Sequence, residues 1–129
     1  MDCEIQKEDG DDDSLRNIAL EFVTFYYNSL NSKSYNLIAP NLRNFTIFSS
    51  EKEKFIGSNI ENLFNKYNIM NAKFTDIDFD ALNSGARRIN ILVTGTINYN
   101  NITQKFSEYI HCNRDRDNFW IQLSIFKLL

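Results

Sequence analysis

The last third of the chain alternates apolar and polar residues with the period of two that a β-strand requires. Three segments show this alternation, at residues 88–99, 102–112 and 118–129. Asn100 and Asn101 separate the first two segments, and because asparagine tolerates positive φ this pair favours a tight hairpin turn. A polar run at 113–117 separates the last two. The sequence therefore predicts three consecutive antiparallel strands.

The last of these strands is apolar on both faces, whereas the first is apolar on one face only. A regular alternation places one set of apolar side chains on each face of the last strand. One face carries Phe119, Ile121, Leu123 and Ile125, and the opposite face carries Trp120, Phe126 and Leu128. A strand that is apolar on both faces must be covered on both. We therefore expect the rest of the chain to cover one face and a partner to cover the other.

The predicted partner interface is the face that carries the only tryptophan, because large apolar patches with aromatic anchors mark protein interfaces. The alternative is that the chain's own helices cover this face and that the opposite face meets solvent. The residues predicted for the interface are Leu92, Thr94, Tyr109, Trp120, Phe126 and Leu128.

Composition and charge bound the class of protein. A length of 129 residues predicts one domain, and a net charge of -3 without a concentrated basic stripe argues against direct binding of nucleic acid. Two cysteines cannot form a disulfide framework, and we expect neither a signal peptide nor a membrane span. These features predict a protein of the cytosol or nucleus that does not bind membranes.

Upstream of the sheet, the pattern predicts helices and one short hairpin. Residues 1–13 are acidic and are predicted to be a disordered tail, with a single domain at 14–129. The predicted elements are helices at 15–30, 34–39 (ended by Pro40) and 60–67, short strands at 44–49 and 55–57, and a long strand at 73–82 that carries Asp76, Asp78 and Asp80 on one face. Helices grouped on one side of a bent antiparallel sheet make an α+β fold.

Five segments in this order resemble the nuclear transport factor 2 family over residues 15–129. They are EFVTFYY (21–27), FIG (55–57), ILVTG (91–95), QKFSEYI (104–110) and SIFKL (124–128). The resemblance implies a cone-shaped α+β fold in which a strongly bent antiparallel sheet wraps on three helices. It leaves either a pocket inside the cone or a sheet surface that binds a partner.

The resemblance implies three alternative functions, because function on a shared fold depends on the site. The first is the small subunit of the mRNA-export heterodimer, paired with the related domain of a larger export receptor. The EFV-x-x-YY run, Leu63-Phe64 and Trp120 favour it. The second is the homodimeric import carrier for the GDP form of Ran, and the third is a small-molecule enzyme similar to ketosteroid isomerase or scytalone dehydratase.

Two departures weaken the import-carrier alternative. The residues that would face Ran at the rim of the cone are Glu51, Asn100 and Asn101, and the last two are neutral amides where the carrier has carboxylates. Neutral amides make weaker bonds to Lys or Arg than carboxylates do. The carrier's first-helix tryptophan, which serves Phe-Gly nucleoporin repeats, aligns with Leu15. We therefore expect an export subunit that works in the nucleus, the cytoplasm and the nuclear pore.

Catalysis on this fold would need a carboxylate or histidine held in an apolar pocket. The candidates are Tyr26, Tyr27, Asp76, Asp78 and the only histidine, His111. Each has a simpler explanation, as core residues for the tyrosines, as a solvated strand face for the aspartates and as a sheet-face residue for His111. We find no nucleophile–base pair, no glycine-rich phosphate loop and no metal-ligand spacing. The sequence predicts a binding protein without cofactor or metal, not an enzyme.

Overall fold

A computed structural model describes residues 12–50, 53–57, 61, 71–85, 87–115 and 118–129, with backbone only at 12, 13 and 115. The helices are α1 (Asp12–Asn31), α2 (Tyr35–Ile38) and a short 3-10 helix (Ala39–Asn41). The strands are β1 (Ile47–Ser50), β2 (Glu53–Ile56), β3 (Lys73–Asn83), β4 (Arg88–Tyr99), β5 (Ile102–Asp115) and β6 (Asn118–Leu128).

The six strands form one curved sheet in the order β2-β1-β6-β5-β4-β3. Neighbouring strands are antiparallel except for β1 and β6, which run parallel. Helix α1 packs against one face, which we call the inner face; the opposite face is the outer face. The predicted α+β arrangement is confirmed.

Most of the predicted elements are confirmed, with shifted ends. The hairpin turn between β4 and β5 has positive φ at both Asn100 (49°) and Asn101 (64°), as the asparagine pair predicts. Helix α1 begins at Asp12, inside the segment that was predicted to be a disordered tail. Pro40 does not end the short helix as predicted, because it lies within the first turn of the 3-10 helix, where a missing N–H costs nothing.

The third predicted helix, at 60–67, lies outside the described residues except for Glu61, which is helical. The described part of the chain therefore contains two of the three expected α-helices. The acidic tail at 1–11 also lies outside the described residues.

The core lies between α1 and the inner face of the sheet. Tyr27 contacts Phe74 of β3 and Phe106 of β5, with ring centroids 5.4 and 5.9 Å away, and Phe22 contacts Phe119 of β6 at 5.8 Å. The carboxamide of Asn31 pins the end of α1 to β3, since it donates to the Phe74 carbonyl (2.9 Å) and accepts from the Phe74 amide (2.7 Å). The predicted wide apolar stripe of α1 is buried, at Ala19, Phe22, Val23, Tyr26, Tyr27 and Leu30.

A β-bulge in β6 reverses the predicted faces in the second half of that strand. His111 pairs with Leu123 and Cys112 pairs with Ile121, so Gln122 is an extra residue. One extra residue moves every later side chain to the other face. The prediction that Trp120, Phe126 and Leu128 share a face is therefore wrong. Trp120 lies on the outer face, and Phe126 and Leu128 lie on the inner face.

A second bulge interrupts β3. Thr75 pairs with Thr96 and Asp78 pairs with Thr94, which leaves one extra residue on β3 between them. Asp76 lies in this bulge with φ of 54°, so it does not continue the alternation of Asp78 and Asp80, which share the outer face. The predicted single face for all three aspartates is wrong for this reason.

Glycine 95 of β4 lets the second bulge pack closely. A Cβ at Gly95 would lie 2.8 Å from Phe106 Cε1, 2.9 Å from Ile77 Cδ1 and 3.0 Å from the Thr75 carbonyl oxygen. These distances are too short for any side chain. The absence of a Cβ at this position therefore lets Ile77 fill the space above the sheet.

Candidate functional site: the outer sheet face and a buried carboxylate

The outer face carries a row of side chains that crosses all six strands and is apolar only in its middle part. Residues that pair in register lie side by side on one face. Following the pairs from β3 to β2 gives what we call the central row: Asp80, Leu92, Tyr109, Ile125, Ser49 and Lys54. Leu92 and Ile125 are 49% and 43% exposed, which is high for large apolar side chains in mid-sheet.

A second row lies beside the central row and is almost uncharged. Its members, from β3 to β2, are Leu82, Asn90, His111, Leu123, Ile47 and Ile56. His111 Nδ1 lies 2.5 Å from Asn90 Oδ1. Burial, and then the nearby Arg88 guanidinium, lower the pKa of His111 from its ordinary value, so the ring favours its neutral form.

Trp120 occupies one end of this surface within an aromatic cluster. The Phe45 ring meets it edge to face with centroids 5.5 Å apart, and the Arg43 guanidinium lies 5.3 Å from its centroid. Phe45 itself is 55% exposed. Edge-to-face pairs and cation–π contacts hold an aromatic side chain in one orientation, so Trp120 presents a fixed surface.

The structure brings together four of the six residues predicted for the partner interface. Leu92, Thr94, Tyr109 and Trp120 lie on the outer face. Phe126 is only 7% exposed on the inner face, so the prediction that it contacts a partner is wrong, and Leu128 lies on that same inner face. Sequence reasoning missed Phe45, Ile47 and Ile56 on this surface. It also assigned Leu123 and Ile125 to the opposite face, because nothing in the sequence of β6 signals the bulge at Gln122.

The inner face holds a buried carboxylate that sequence reasoning also missed. Glu108 is 4% exposed and accepts three hydrogen bonds from hydroxyl groups. They come from Tyr26 (3.0 Å), Tyr27 (2.5 Å) and Ser124 (2.6 Å). The signal was present in β5, where Glu108 occupies an inward position in the apolar alternation Phe106, Ile110 and Cys112.

The electrostatics of this cluster follow from its burial. Burial raises the pKa of Glu108, and the three hydroxyl donors oppose that rise because they stabilise the carboxylate. Burial, followed by the charge of Glu108, raises the pKa of Tyr26 and Tyr27 well above 10.0, so both phenols keep their protons and donate. The same causes raise the pKa of the Cys112 thiol to about 12, which leaves it unreactive.

A groove of about 240 Å³ lies between α1 and β3, beside the bulge. Tyr27 and Asp78 are among its lining residues, together with Leu20, Val23, Thr24, Asn28, Asn31, Phe74, Ile77 and Phe79. The candidates for catalysis are therefore dispersed. Tyr26 and Tyr27 meet at Glu108. Asp78 borders the groove from the outer face of the edge strand β3, Asp76 lies in the bulge, and His111 lies on the outer face of β5.

The three residues predicted to face Ran are only partly described. Asn100 and Asn101 are exposed in the turn between β4 and β5, while Glu51 lies outside the described residues. Among the residues that the structure covers, no cluster of His, Cys, Asp or Glu could hold a metal ion. Within the same residues, no helix is long and apolar enough to cross a membrane.

Comparison with known proteins identifies the fold. No family model matches the sequence, and no curated protein matches it. Among solved structures, nuclear transport factor 2 from Cryptosporidium parvum matches with a TM-score of 0.69 and 24% identity, over 89% of this chain and 94% of that one. An NTF-2 like protein of unknown function from Shewanella oneidensis matches with a TM-score of 0.69 and 9% identity, over 87% and 98% of the two chains.

The chain has the nuclear transport factor 2-like fold.

This fold does not determine the function. LinA matches with a TM-score of 0.74 and 9% identity, over 94% of this chain and 90% of its own. The nuclear transport factor 2-like fold is thus shared by a transport factor and by LinA, and the choice between functions depends on the surfaces described above.

Proposed function

We propose that this chain is a binding protein of nucleocytoplasmic transport that assembles through its outer sheet face with a second domain of the same fold. The observation that carries the proposal is the set of exposed apolar side chains in the two rows on that face, Leu92 and Ile125 in the central row and Leu82 and Ile56 in the second. Large apolar side chains in mid-sheet, held beside a fixed tryptophan, are typical of an interface core. A domain of the same fold offers a matching curved sheet.

Two assemblies fit this proposal. In one, the chain is the small subunit of an mRNA-export receptor and its partner is the related domain of the larger subunit. In the other, the partner is a second copy and the assembly carries Ran-GDP. The neutral Asn100 and Asn101 at the rim favour the first, because they offer no carboxylate to Lys or Arg. In either assembly the chain works in the nucleus and cytoplasm by contact with Phe-Gly nucleoporins.

A small-molecule enzyme is the second candidate. It is favoured by Tyr27, which lines the groove between α1 and β3 and also donates to Glu108, so one side chain joins a pocket to a carboxylate. Against it, Glu108 is 4% exposed and all its described neighbours bury it. A general base must come within hydrogen-bond reach of its substrate. We therefore rank binding above catalysis.

The proposal is tested with a charge placed on the outer face. Ile125→Lys puts an ammonium group in the centre of the interface, whereas Leu37→Lys puts one on α2, where the leucine is 50% exposed. We expect Ile125→Lys to weaken assembly by at least about 30-fold, as expected for about 2 kcal/mol at an interface core. Leu37→Lys should assemble as the wild type does.

Association is measured by sedimentation velocity, for the chain alone and co-expressed with the related domain of the export receptor, and by binding to an immobilised Phe-Gly repeat peptide. Circular dichroism checks that both variants fold. Equal assembly of the two variants would exclude the outer face as the interface. Turnover of a small substrate that is lost in Glu108→Gln would favour the enzyme instead.

A further inference from the structure

Strand β3 forms one edge of the sheet and borders the groove beside α1. Among the described residues, β4 is the only strand that pairs with β3, so the other side of β3 is an open sheet edge. The bulge that contains Asp76 interrupts the first part of the strand. After it, residues 79–83 pair with β4 without a further shift of register. We call residues 79–83 the β3 edge.

The register shows which backbone groups of the β3 edge point away from β4. Hydrogen bonds alternate along an antiparallel pair of strands. Phe74 fixes the phase, because its N–H and C=O bond to the Asn31 carboxamide of α1. Phe79 and Ala81 pair with β4 residues that lie an even number of positions before the partner of Phe74. Their N–H and C=O groups therefore point to the open edge. The Phe79 N–H agrees with this phase, since it donates to the Asp78 carboxylate, 2.9 Å away.

The side chains along the β3 edge differ between the two faces of the sheet. On the outer face, Asp78 and Asp80 are both exposed. On the inner side, Phe79 and Leu20 of α1 line the groove, and Leu20 is 49% exposed. Successive side chains of a strand point to opposite faces. A strand added at this edge would therefore place alternate side chains beside carboxylates and beside apolar groups.

We infer that the β3 edge binds an extended segment of another protein, in which basic and apolar residues alternate, as an additional strand of the sheet. The basic side chains of this segment pair with Asp78 and Asp80, and its apolar side chains cover Leu20 and Phe79. When a peptide adds to an open sheet edge, backbone hydrogen bonds supply affinity and side-chain contacts supply specificity. The contact uses the margin of the sheet and not the middle of the outer face, so it is independent of the proposed function.

Charge and size select this occupant over two others. If β3 of a second copy paired with this edge, Asp78 and Asp80 of both copies would lie on neighbouring strands, where like charges oppose pairing. Charged side chains and bulges are also features by which edge strands avoid pairing with their own kind. The groove of about 240 Å³ is smaller than the roughly 300–1,000 Å³ of most small-molecule pockets. It therefore suits a peptide side chain better than a small-molecule ligand.

The inferred site is tested with a fluorescently labelled short peptide that alternates lysine and valine. The full chain is titrated into the peptide, and binding is followed by fluorescence anisotropy. One comparison peptide alternates glutamate and valine. The other replaces the central valine of the lysine peptide by proline, which removes a backbone donor. We expect the lysine peptide to bind at least about 10-fold more tightly than either comparison peptide, because only it supplies both the charges and the backbone bonds.

Two matched pairs of variants locate the contact on the chain. Asp78→Asn should weaken binding of the lysine peptide about 2- to 5-fold, the scale of one exposed ion pair, whereas Glu53→Gln on the opposite edge strand β2 should leave it unchanged. Leu20→Gln should weaken binding about 5-fold, because it removes apolar surface from the groove. Leu37→Gln changes a leucine of α2 that is 50% exposed, and it should bind as the wild type does. Circular dichroism checks that all four variants fold.

Amide hydrogen exchange separates strand addition from simple charge attraction. The Ala81 N–H points to the open edge, whereas the Asp80 N–H points to β4. Saturation with the lysine peptide should slow the exchange of the Ala81 amide at least about 10-fold and leave that of Asp80 unchanged.

Three results would overturn the inferred site. They are the absence of measurable binding, equal affinity for the lysine and glutamate peptides, and an Ala81 amide that exchanges equally fast in the free chain and in the complex. Equal loss of binding in Leu20→Gln and Leu37→Gln would also place the peptide elsewhere. Assembly through the outer face is tested separately by Ile125→Lys, so these results leave the proposed function intact.

Discussion

Glu108 is an ionisable residue that is buried in the core of the protein. Its carboxylate lies among Phe106, Ile110 and other core residues, and among the described residues only hydroxyl groups compensate it. A buried charge costs free energy unless it is well hydrogen-bonded. The three hydroxyl donors reduce that cost but do not remove it, since the pKa of Glu108 remains raised.

The raised pKa predicts how stability depends on pH. The folded protein binds the proton of the Glu108 carboxyl more tightly than the unfolded chain does. The stabilisation that results is therefore fully present below about pH 4.5, and it is lost as the pH rises through the pKa of Glu108 in the folded protein. Glu108→Gln has no such loss. We therefore expect its free energy of unfolding, relative to the wild type, to increase from pH 4.5 towards pH 8 in urea titrations.

A second variant separates the charge from the packing. Tyr27→Phe removes the 2.5 Å donor and keeps the ring, so the wild type should exceed it in stability by more at pH 8 than at pH 4.5. A constant difference between Glu108→Gln and wild type across this range would show that the buried carboxyl has an ordinary pKa.

The bulge in strand β6 decides which of its side chains lie on the inner face of the sheet and which lie on the outer face. The extra residue Gln122 turns Ser124 and Phe126 inward, where Ser124 donates to Glu108 and the Phe126 ring stacks on Phe106 with centroids 5.4 Å apart. It also turns Ile125 outward into the central row. The outer rows and the inner cluster therefore depend on the same bulge.

Removing the bulge should leave the faces of β6 unchanged. Deletion of Gln122 joins Ile121 directly to Leu123, so both halves of β6 can keep their partners on β5, and Ser124 and Phe126 stay inward. We therefore expect the deletion to cost less than about 3–5 kcal/mol, the range for removing a phenylalanine from a core. Gln122→Ala keeps the residue count and should stay within about 0.5 kcal/mol of the wild type, because Gln122 is exposed. Thermal and urea unfolding measure both, and a loss of about 3–5 kcal/mol in the deletion variant would show that Phe126 no longer lies in the core.

The elements themselves could be predicted from the sequence, but the two bulges could not. Periodicity located β4, β5 and β6, and the Asn100-Asn101 pair located their first turn. A β-bulge arises where one strand has one more residue than its partner strand between two paired positions. It is therefore a property of two strands together, which the sequence of one strand does not show. The same limit hid Glu108, whose partners Tyr26 and Ser124 are distant in sequence.

In the part of the chain that the structure describes, the two sheet faces differ, because the outer face leaves Leu92 and Ile125 49% and 43% exposed. Helix α1 covers the inner face, where the core and Glu108 lie. The outer face offers two rows that contain exposed apolar side chains, with Trp120 at their end and opposite charges at the edges. Because the fold is shared with a transport factor and with LinA, this difference between the two faces is what leads us to propose assembly over catalysis.

Trp120 allows that proposal to be measured directly, since it is the only tryptophan in the chain. It lies on the outer face and is partly buried by Phe45. We expect its emission to shift to longer wavelength, and its quenching by acrylamide to increase, as the assembly is diluted and its sedimenting mass falls towards the 15.2 kDa of one chain. Emission and quenching that stay constant while the mass falls would show that partners bind elsewhere, and would contradict the account.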